Sequence, residues 1–289
     1  MKWQDITEIQ RQSAAGLIGT IDSGERWIFE NGEKDSNFHR FVCNKTFVTE
    51  CDLGIISAAH YGDAQRISIA FKNDMPDEAE MATAKLLSDT VEATDLNTYI
   101  WCRNENIKLR KIIEDTFSVS LNYASHEMSV TKKEITSWEI PELPGGYNVC
   151  GFEERHHGNY IDLLEKAMAH VSQPGTTPYR DGYEFLKTHF TELGKENRFH
   201  ALWFGGELAG LCYSDGGEID HLAVDEKHRR KGLGYYLLYT AVKNAFLYRE
   251  GNICLYVVDQ NPSAFEFYKR CGMGVTGHRA RYFIEKANL

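Results

Sequence analysis

Apolar positions in the second half of the chain fall into short runs and helical stripes that predict an ordered series of elements. Tyr147–Phe152 reads as a strand, followed by helices from about Asn159 to Val171 and over Tyr183–Leu193. Phe199–Phe204, Glu207–Tyr213 and Glu218–Val224 read as three strands, the first two joined by the hairpin signal Gly205-Gly206. From Gly234 to about Tyr248, Leu237, Leu238, Ala241, Val242, Ala245 and Phe246 recur at helical spacing. Asn252–Val258 is a continuous apolar run of strand length, the pattern of a strand buried on both faces. Pro262 then opens a helix to about Arg270, and Val275–Glu285 predicts terminal strands. The order β-α-α-β-β-β-α-β-α-β predicts an α/β (α+β) fold, a mixed central sheet flanked by helices.

The first half carries a fainter version of the late part of that order. Arg66–Phe71 reads as strand, Glu78–Val91 as helix, Thr98–Cys102 as strand, Ile107–Thr116 as helix and Val119–Val130 as strand. The offset is roughly 155 residues, so duplication of a whole domain is the first expectation, with two unrelated α/β units as the alternative. Thr131–Gly146, with Pro141, Pro144, Gly145 and Gly146, reads as the linker, giving domains at 1–140 and 146–289. Periodicity assigns nothing within Met1–Tyr61.

Composition narrows the class. With 289 residues, 42% hydrophobic and 26% charged, the chain suits two globular domains, and no run approaches the about eighteen apolar residues of a membrane span. The N-terminus lacks a signal-peptide core, so a cytoplasmic protein is expected. None of the seven cysteines forms a C-x-x-C pair, which favours buried free thiols over disulfides or zinc. The net charge of −10 divides as −9 over Met1–Gly145 (15 cationic, 24 acidic) and −1 over Gly146–Leu289 (17 and 18). An acidic chain is poorly suited to nucleic acid and better suited to a cationic substrate such as an amine.

The one dense basic cluster, Lys227-His228-Arg229-Arg230-Lys231, joins the strand Glu218–Val224 to Gly232-Leu233-Gly234 and a helix. Glycines there let backbone N–H groups approach an anion, the helix start adds its dipole, and Arg229, Arg230 and Lys231 add charge, which together make a pyrophosphate cradle. A P-loop is excluded because no Lys-Ser or Lys-Thr follows, and a dinucleotide fingerprint because Leu237 stands where its third glycine belongs. Downstream, Asn261-Pro262-Ser263-Ala264 leads to Tyr268 and to Gly272-Met273.

Arg229-x-x-Gly232-x-Gly234 after Leu222-Ala223-Val224 resembles the R/Q-x-x-G-x-G/A signature of the GNAT superfamily of acyl-CoA-dependent N-acyltransferases. The second stretch resembles that family's N-x-x-A-x-x-x-Y-x-x-x-G-F segment, with Met273 for Phe. The resemblance implies a tandem GNAT-like protein whose 146–289 domain transfers an acetyl group from acetyl-CoA, without a metal, to a primary amine of a small molecule, peptide or protein by direct attack. A non-catalytic CoA-binding regulatory module is the alternative, and a homodimer is left open. It further implies that the strand bearing Leu222–Val224 splays from its neighbour, so that its amides meet pantetheine. Arg229 to Gly234, Leu233 included, would hold the pyrophosphate, Asn261 and Ser263 the pantetheine arm, and the Tyr268 hydroxyl would face the sulfur and protonate the departing thiolate.

The amine must shed a proton, and Glu218, fourteen residues before Gly232, is the leading base, with His221 the second candidate. Strand alternation sets Glu218 and Asp220 on one face and Ile219 and His221 on the other. Tyr179 and Arg180, in Thr176–Arg180, are candidate acceptor contacts, and His156-His157 is expected to be solvent-exposed. In the first half, the loop Lys72–Glu78 is acidic and lacks glycine, and the helix Ile107–Thr116 lacks tyrosine, so acyl-CoA binding is expected to be lost there.

Overall fold

The structure, a computed structural model, describes residues 2–31, 42–49, 53–61, 64–169 and 177–286. The chain forms two compact units, Met1–Glu127 with Val275–Leu289, and Met128–Gly274. Among the described residues no helix is long and apolar enough to cross a membrane.

The first unit contains β1 (Trp3–Asp5), α1 (Arg11–Ile18), α2 (Ser23–Asn31), β2 (Val42–Thr49), β3 (Gly54–Tyr61), β4 (Ala64–Phe71), α3 (Glu80–Glu92), β5 (Asn97–Arg103) and α4 (Ile107–Phe117). β6 (Tyr123–Val130) carries the chain into the second unit. Among the described residues β1, α1, α2, β2 and β3 lie in Met1–Tyr61, where periodicity assigns none. β6 starts at Tyr123 rather than Val119, because α4 ends at Ser118 in a left-handed turn (φ 53°) and the chain needs several residues to recover. One face of the sheet buries Ile67, Ile69, Ile100 and Cys102 against Leu87 and Val91 of α3 and Leu109 and Ile113 of α4. The β4–β5 pair is parallel and stays in register over five residues, from Ala64↔Asn97 to Ser68↔Trp101.

The second unit contains β7 (Tyr147–Cys150), α5 (His157–Met168), α6 (Pro178–Asp181), α7 (Tyr183–Lys195), β8 (Phe199–Phe204), β9 (Glu207–Asp215), β10 (Glu218–Val224), α8 (Leu233–Tyr248), β11 (Ile253–Val258) and α9 (Pro262–Arg270). All but α6, for which the sequence predicts no element, agree with the predicted elements to within a few residues; Val171, the predicted end of α5, lies outside the described residues. The strands follow the order β11-β10-β9-β8-β7. On one face Leu237, Leu238, Ala241 and Val242 of α8 pack with Ile219, Leu255 and Val257. On the other, Tyr160 and Leu164 of α5 and Phe190 of α7 pack with Leu211, Tyr213 and Ala223. The predicted linker is not free chain: Trp138 is 9% exposed and joins the α8 core.

The last strand departs from the domain limits read from the sequence. β12 (Gly274–Ile284) pairs antiparallel with β5, from Arg279↔Arg103 to Ile284↔Thr98, so Val275–Leu289 belongs to the first unit rather than to 146–289. The reason is partly electrostatic. Asp22, Glu25 and Glu127 are at most 2% exposed, and buried carboxylates need paired charge and hydrogen bonds. Arg66 and Ser68 of β4 serve Glu25. β12 supplies the rest: Arg279 Nη1 donates to Asp22 (2.8 Å) and Thr276 Oγ1 to Glu127 (3.0 Å). Truncation after Gly274, which keeps every motif residue, is therefore expected to unfold the first unit. Loss of part of the circular-dichroism signal and of its urea transition would show this; an unchanged transition would contradict it.

Candidate functional site

The site begins with how β10 is paired. On one edge it is antiparallel to β9 from Glu218↔Asp215 to Val224↔Gly210. On the other, β11 runs parallel to it and shares the single register pair Glu218↔Cys254, where Cys254 N–H donates to Gly217 O (2.9 Å). Beyond that pair the strands part. Backbone groups of Leu222–Val224 that point away from β9 thus face a cleft instead of a strand, and α8 starts at its far end.

A bulge between Ile219 and His221 changes which residues share a face. Ile219 lies in the α8 core and Ala223 in the α5/α7 core, although unbroken alternation would put both on one face. Asp220 is the extra residue, and His221 shares the face of Ala223. The expectation that His221 sits beside Ile219 is corrected accordingly.

The bulge places His221 opposite Tyr213 in a polar group. Tyr213 Oη lies 2.7 Å from Nδ1 and Tyr179 Oη 2.5 Å from Nε2. Asp220 Oδ1 is 3.3 Å from Nδ1. A carboxylate only accepts, so Nδ1 carries the proton toward Asp220, and Nε2 accepts from the Tyr179 hydroxyl. Burial works to raise the Asp220 carboxyl, but His221, a hydrogen bond from Tyr213 and the nearby His189 outweigh it and hold it below the ordinary carboxylate range. Burial, reinforced by Asp220, pushes both tyrosines well above the usual phenol range, so each stays a neutral hydroxyl.

Tyr179 is held in place from α5. Pro178 starts α6, and Glu165 Oε1 accepts from the backbone N–H groups of Tyr179 and Arg180, both at 2.8 Å. Arg180 turns away to Asp162 (2.9 Å), so of the two candidate acceptor contacts only Tyr179 joins the His221 group. Thr176 lies outside the described residues. Glu218 is half-buried at the closed end of the cleft. His157 is 1% exposed, not solvated, and its Nε2 donates to Tyr183 O (2.9 Å); the ring of His156 lies 4.3 Å from that of Trp203.

At the far end, Gly232 caps α8 with φ 82°, a left-handed conformation that glycine adopts without a Cβ clash. The first intrahelical bond runs from Tyr236 N–H to Gly232 O (3.0 Å), which leaves the N–H groups of Leu233, Gly234 and Tyr235 without helical partners. Gly234 lies against the Phe267 ring of α9. Arg229, Arg230 and Lys231 are exposed, with Arg229 Nε donating back to Val224 O (3.0 Å). His228, by contrast, is 6% exposed and adds nothing to the basic surface.

On α9, Asn261 Oδ1 accepts from Ala264 N–H (3.1 Å) and Ser263 Oγ (3.0 Å), so both residues serve as a helix cap. Tyr268 is half-buried against the α8 core, and burial first, then Cys212 and Cys271, raises its phenol well above the usual range. Sequence reasoning missed Tyr213. Pairing outward from the Gly216-Gly217 turn would have brought it near His221, but only the bulge makes the register meet.

Residues 163–273 match the model of the acetyltransferase (GNAT) family. No curated protein matches the chain significantly. The chain is similar in fold to a GCN5-related N-acetyltransferase from Sphaerobacter thermophilus (14% identity, 98% of this chain and 95% of that one, TM-score 0.63). It also resembles a GNAT-family acetyltransferase from Colwellia psychrerythraea (12%, 98% and 99%, TM-score 0.53). A third likeness is to a tandem GNAT protein from the clavulanic acid biosynthesis pathway (8%, 98% and 98%, TM-score 0.54). The match to the GNAT acetyltransferase family thus lies within the second unit, at residues 163–273.

Proposed function

We propose that the second unit transfers an acyl group, acetyl by default, from acyl-CoA to the primary amine of a small molecule, peptide or protein. The observation that carries this reading is the parting of β10 from β11 beside the Gly232 turn. The free amides at the start of α8, with Arg230 and Lys231, suit the pyrophosphate of acyl-CoA. The cleft-facing amides of Leu222–Val224 suit the thioester carbonyl, whose developing negative charge they would stabilise.

The reaction is a direct displacement. The amine nitrogen bonds to the carbonyl carbon, the carbon–sulfur bond breaks, and sulfur leaves with the electron pair. Tyr268, kept a neutral phenol by burial, is the group that gives that thiolate a proton. The amine proton passes to His221 Nε2 through the Tyr179 hydroxyl, and Asp220 stabilises the imidazolium formed. Glu218, at the closed end of the cleft, is assigned a supporting rather than a proton-accepting role. The first unit is assigned no acyl-CoA site, since β4 and β5 stay zipped and Lys72–Glu78 is acidic.

Release of CoA thiol from acetyl-CoA against a panel of amines, polyamines, amino acids and short peptides tests the reading. Turnover with some acceptor is expected, with kcat/KM falling about 10²-fold in His221→Gln and in Tyr268→Phe and less than about 5-fold in Glu218→Gln. A larger loss in Glu218→Gln than in His221→Gln would reassign the base, and tight binding without turnover would leave a CoA-binding regulatory module. Calorimetric titration with CoA is expected to saturate at one site per chain. Saturation at two would give the first unit a working site.

A further inference from the structure

The basic turn between β10 and α8 is fastened on its inner side. His228 precedes the turn and is buried, with its ring edge-on to that of Tyr147 (5.6 Å between centroids, 84°). Its Nδ1 lies 2.8 Å from Tyr147 Oη. Lys231, at the other side of the turn, donates from Nζ to the same oxygen (3.3 Å). An ammonium can only donate. Tyr147 Oη therefore accepts from Lys231 and shares a second hydrogen bond with His228 Nδ1. One phenol oxygen ties residues 228 and 231 together.

Between these two anchors lie Arg229, drawn back to Val224 O, and Arg230, whose φ of 63° is one that a non-glycine residue keeps only when its surroundings impose it. The anchor is itself fixed. Tyr147 lies on β7 opposite Phe204 of β8, whose ring is 4.7 Å from Tyr147 and 5.7 Å from His228. Gly146 precedes it with φ 83°, and a Cβ there would sit 2.8 Å from the Phe204 ring, so glycine is needed to bring Tyr147 in. Neither Tyr147 nor Phe204 is charged, and His228 is buried. Their effect is to fix the path of the turn and the place of the Lys231 ammonium.

We propose that Tyr147 and His228 are positioning residues for a diphosphate ester. They hold residues 229–232 in the shape that presents the α8 amides and Lys231 to the diphosphate of the acyl donor. The proposal rests on the acyl-CoA reading above, and its test separates the two. Tyr147→Phe removes one oxygen and keeps the ring packing; His228→Asn removes the imidazole. Both are titrated calorimetrically with CoA and, at millimolar concentration, with pantetheine, which fills the same cleft but lacks the diphosphate.

The expected result is a Kd for CoA raised about 3–10-fold in each variant, with pantetheine binding unchanged within about 2-fold. An equal loss for both ligands would mean that the tether only supports the fold and would overturn the proposal. So would a Tyr147→Phe protein that binds CoA as tightly as the parent. A parent protein that binds neither ligand would overturn the acyl-CoA reading itself, and the proposal with it.

Discussion

The domain depends on one departure from sheet geometry: β10 leaves β11 after a single register pair while staying paired with β9 to its end. Backbone groups freed in this way are costly unless a ligand or water takes them. The structure around β10 makes the arrangement stable. The Asp220 bulge bends and twists the strand at the point of parting. α8 packs Leu237 and Leu238 under Ile219 and Leu222, and the Asn261 cap starts α9 as β11 ends. The first unit shows the alternative outcome. There β4 and β5 satisfy their amides against each other over five residues, and the following loop is acidic.

Much of the second unit was legible in the sequence because its elements are long and strongly periodic. α8 announces itself through six apolar positions at helical spacing, and the Arg229–Gly234 turn through residue types that few other structures require. What could not be read depends on single-residue offsets or on distant partners. One extra residue, Asp220, moved His221 to the other face and beside Tyr213, and no alternation count contains that information. His228 sits in the middle of a basic run yet is buried, because its partner Tyr147 is 81 residues away.

The fate of β12 was illegible for a related reason. Its apolar alternation, Ala280, Tyr282 and Ile284, would suit any sheet with a vacant edge. What commits it to β5 includes the polar positions on its other face. Arg279 meets Asp22 and Ser125, and its guanidinium lies 4.4 Å from the Trp101 ring centre, with Arg66 at 4.7 Å from the same ring. A shift of register would leave Asp22 and Glu127 without their β12 partners.

The same bookkeeping of donors and acceptors governs both ends of the cleft. At His221 the neighbouring carboxylate fixes the proton on Nδ1, which leaves Nε2 as the acceptor and aims it at Tyr179. At the other end the Lys231 ammonium makes the Tyr147 oxygen an acceptor, and the same oxygen is bonded to His228 Nδ1. In each case a charged group that cannot change role orients a phenol or an imidazole that can. The two histidines thus differ in setting within one domain: His221 presents Nε2 to the Tyr179 hydroxyl, and His228 is held against Tyr147 beside the basic turn.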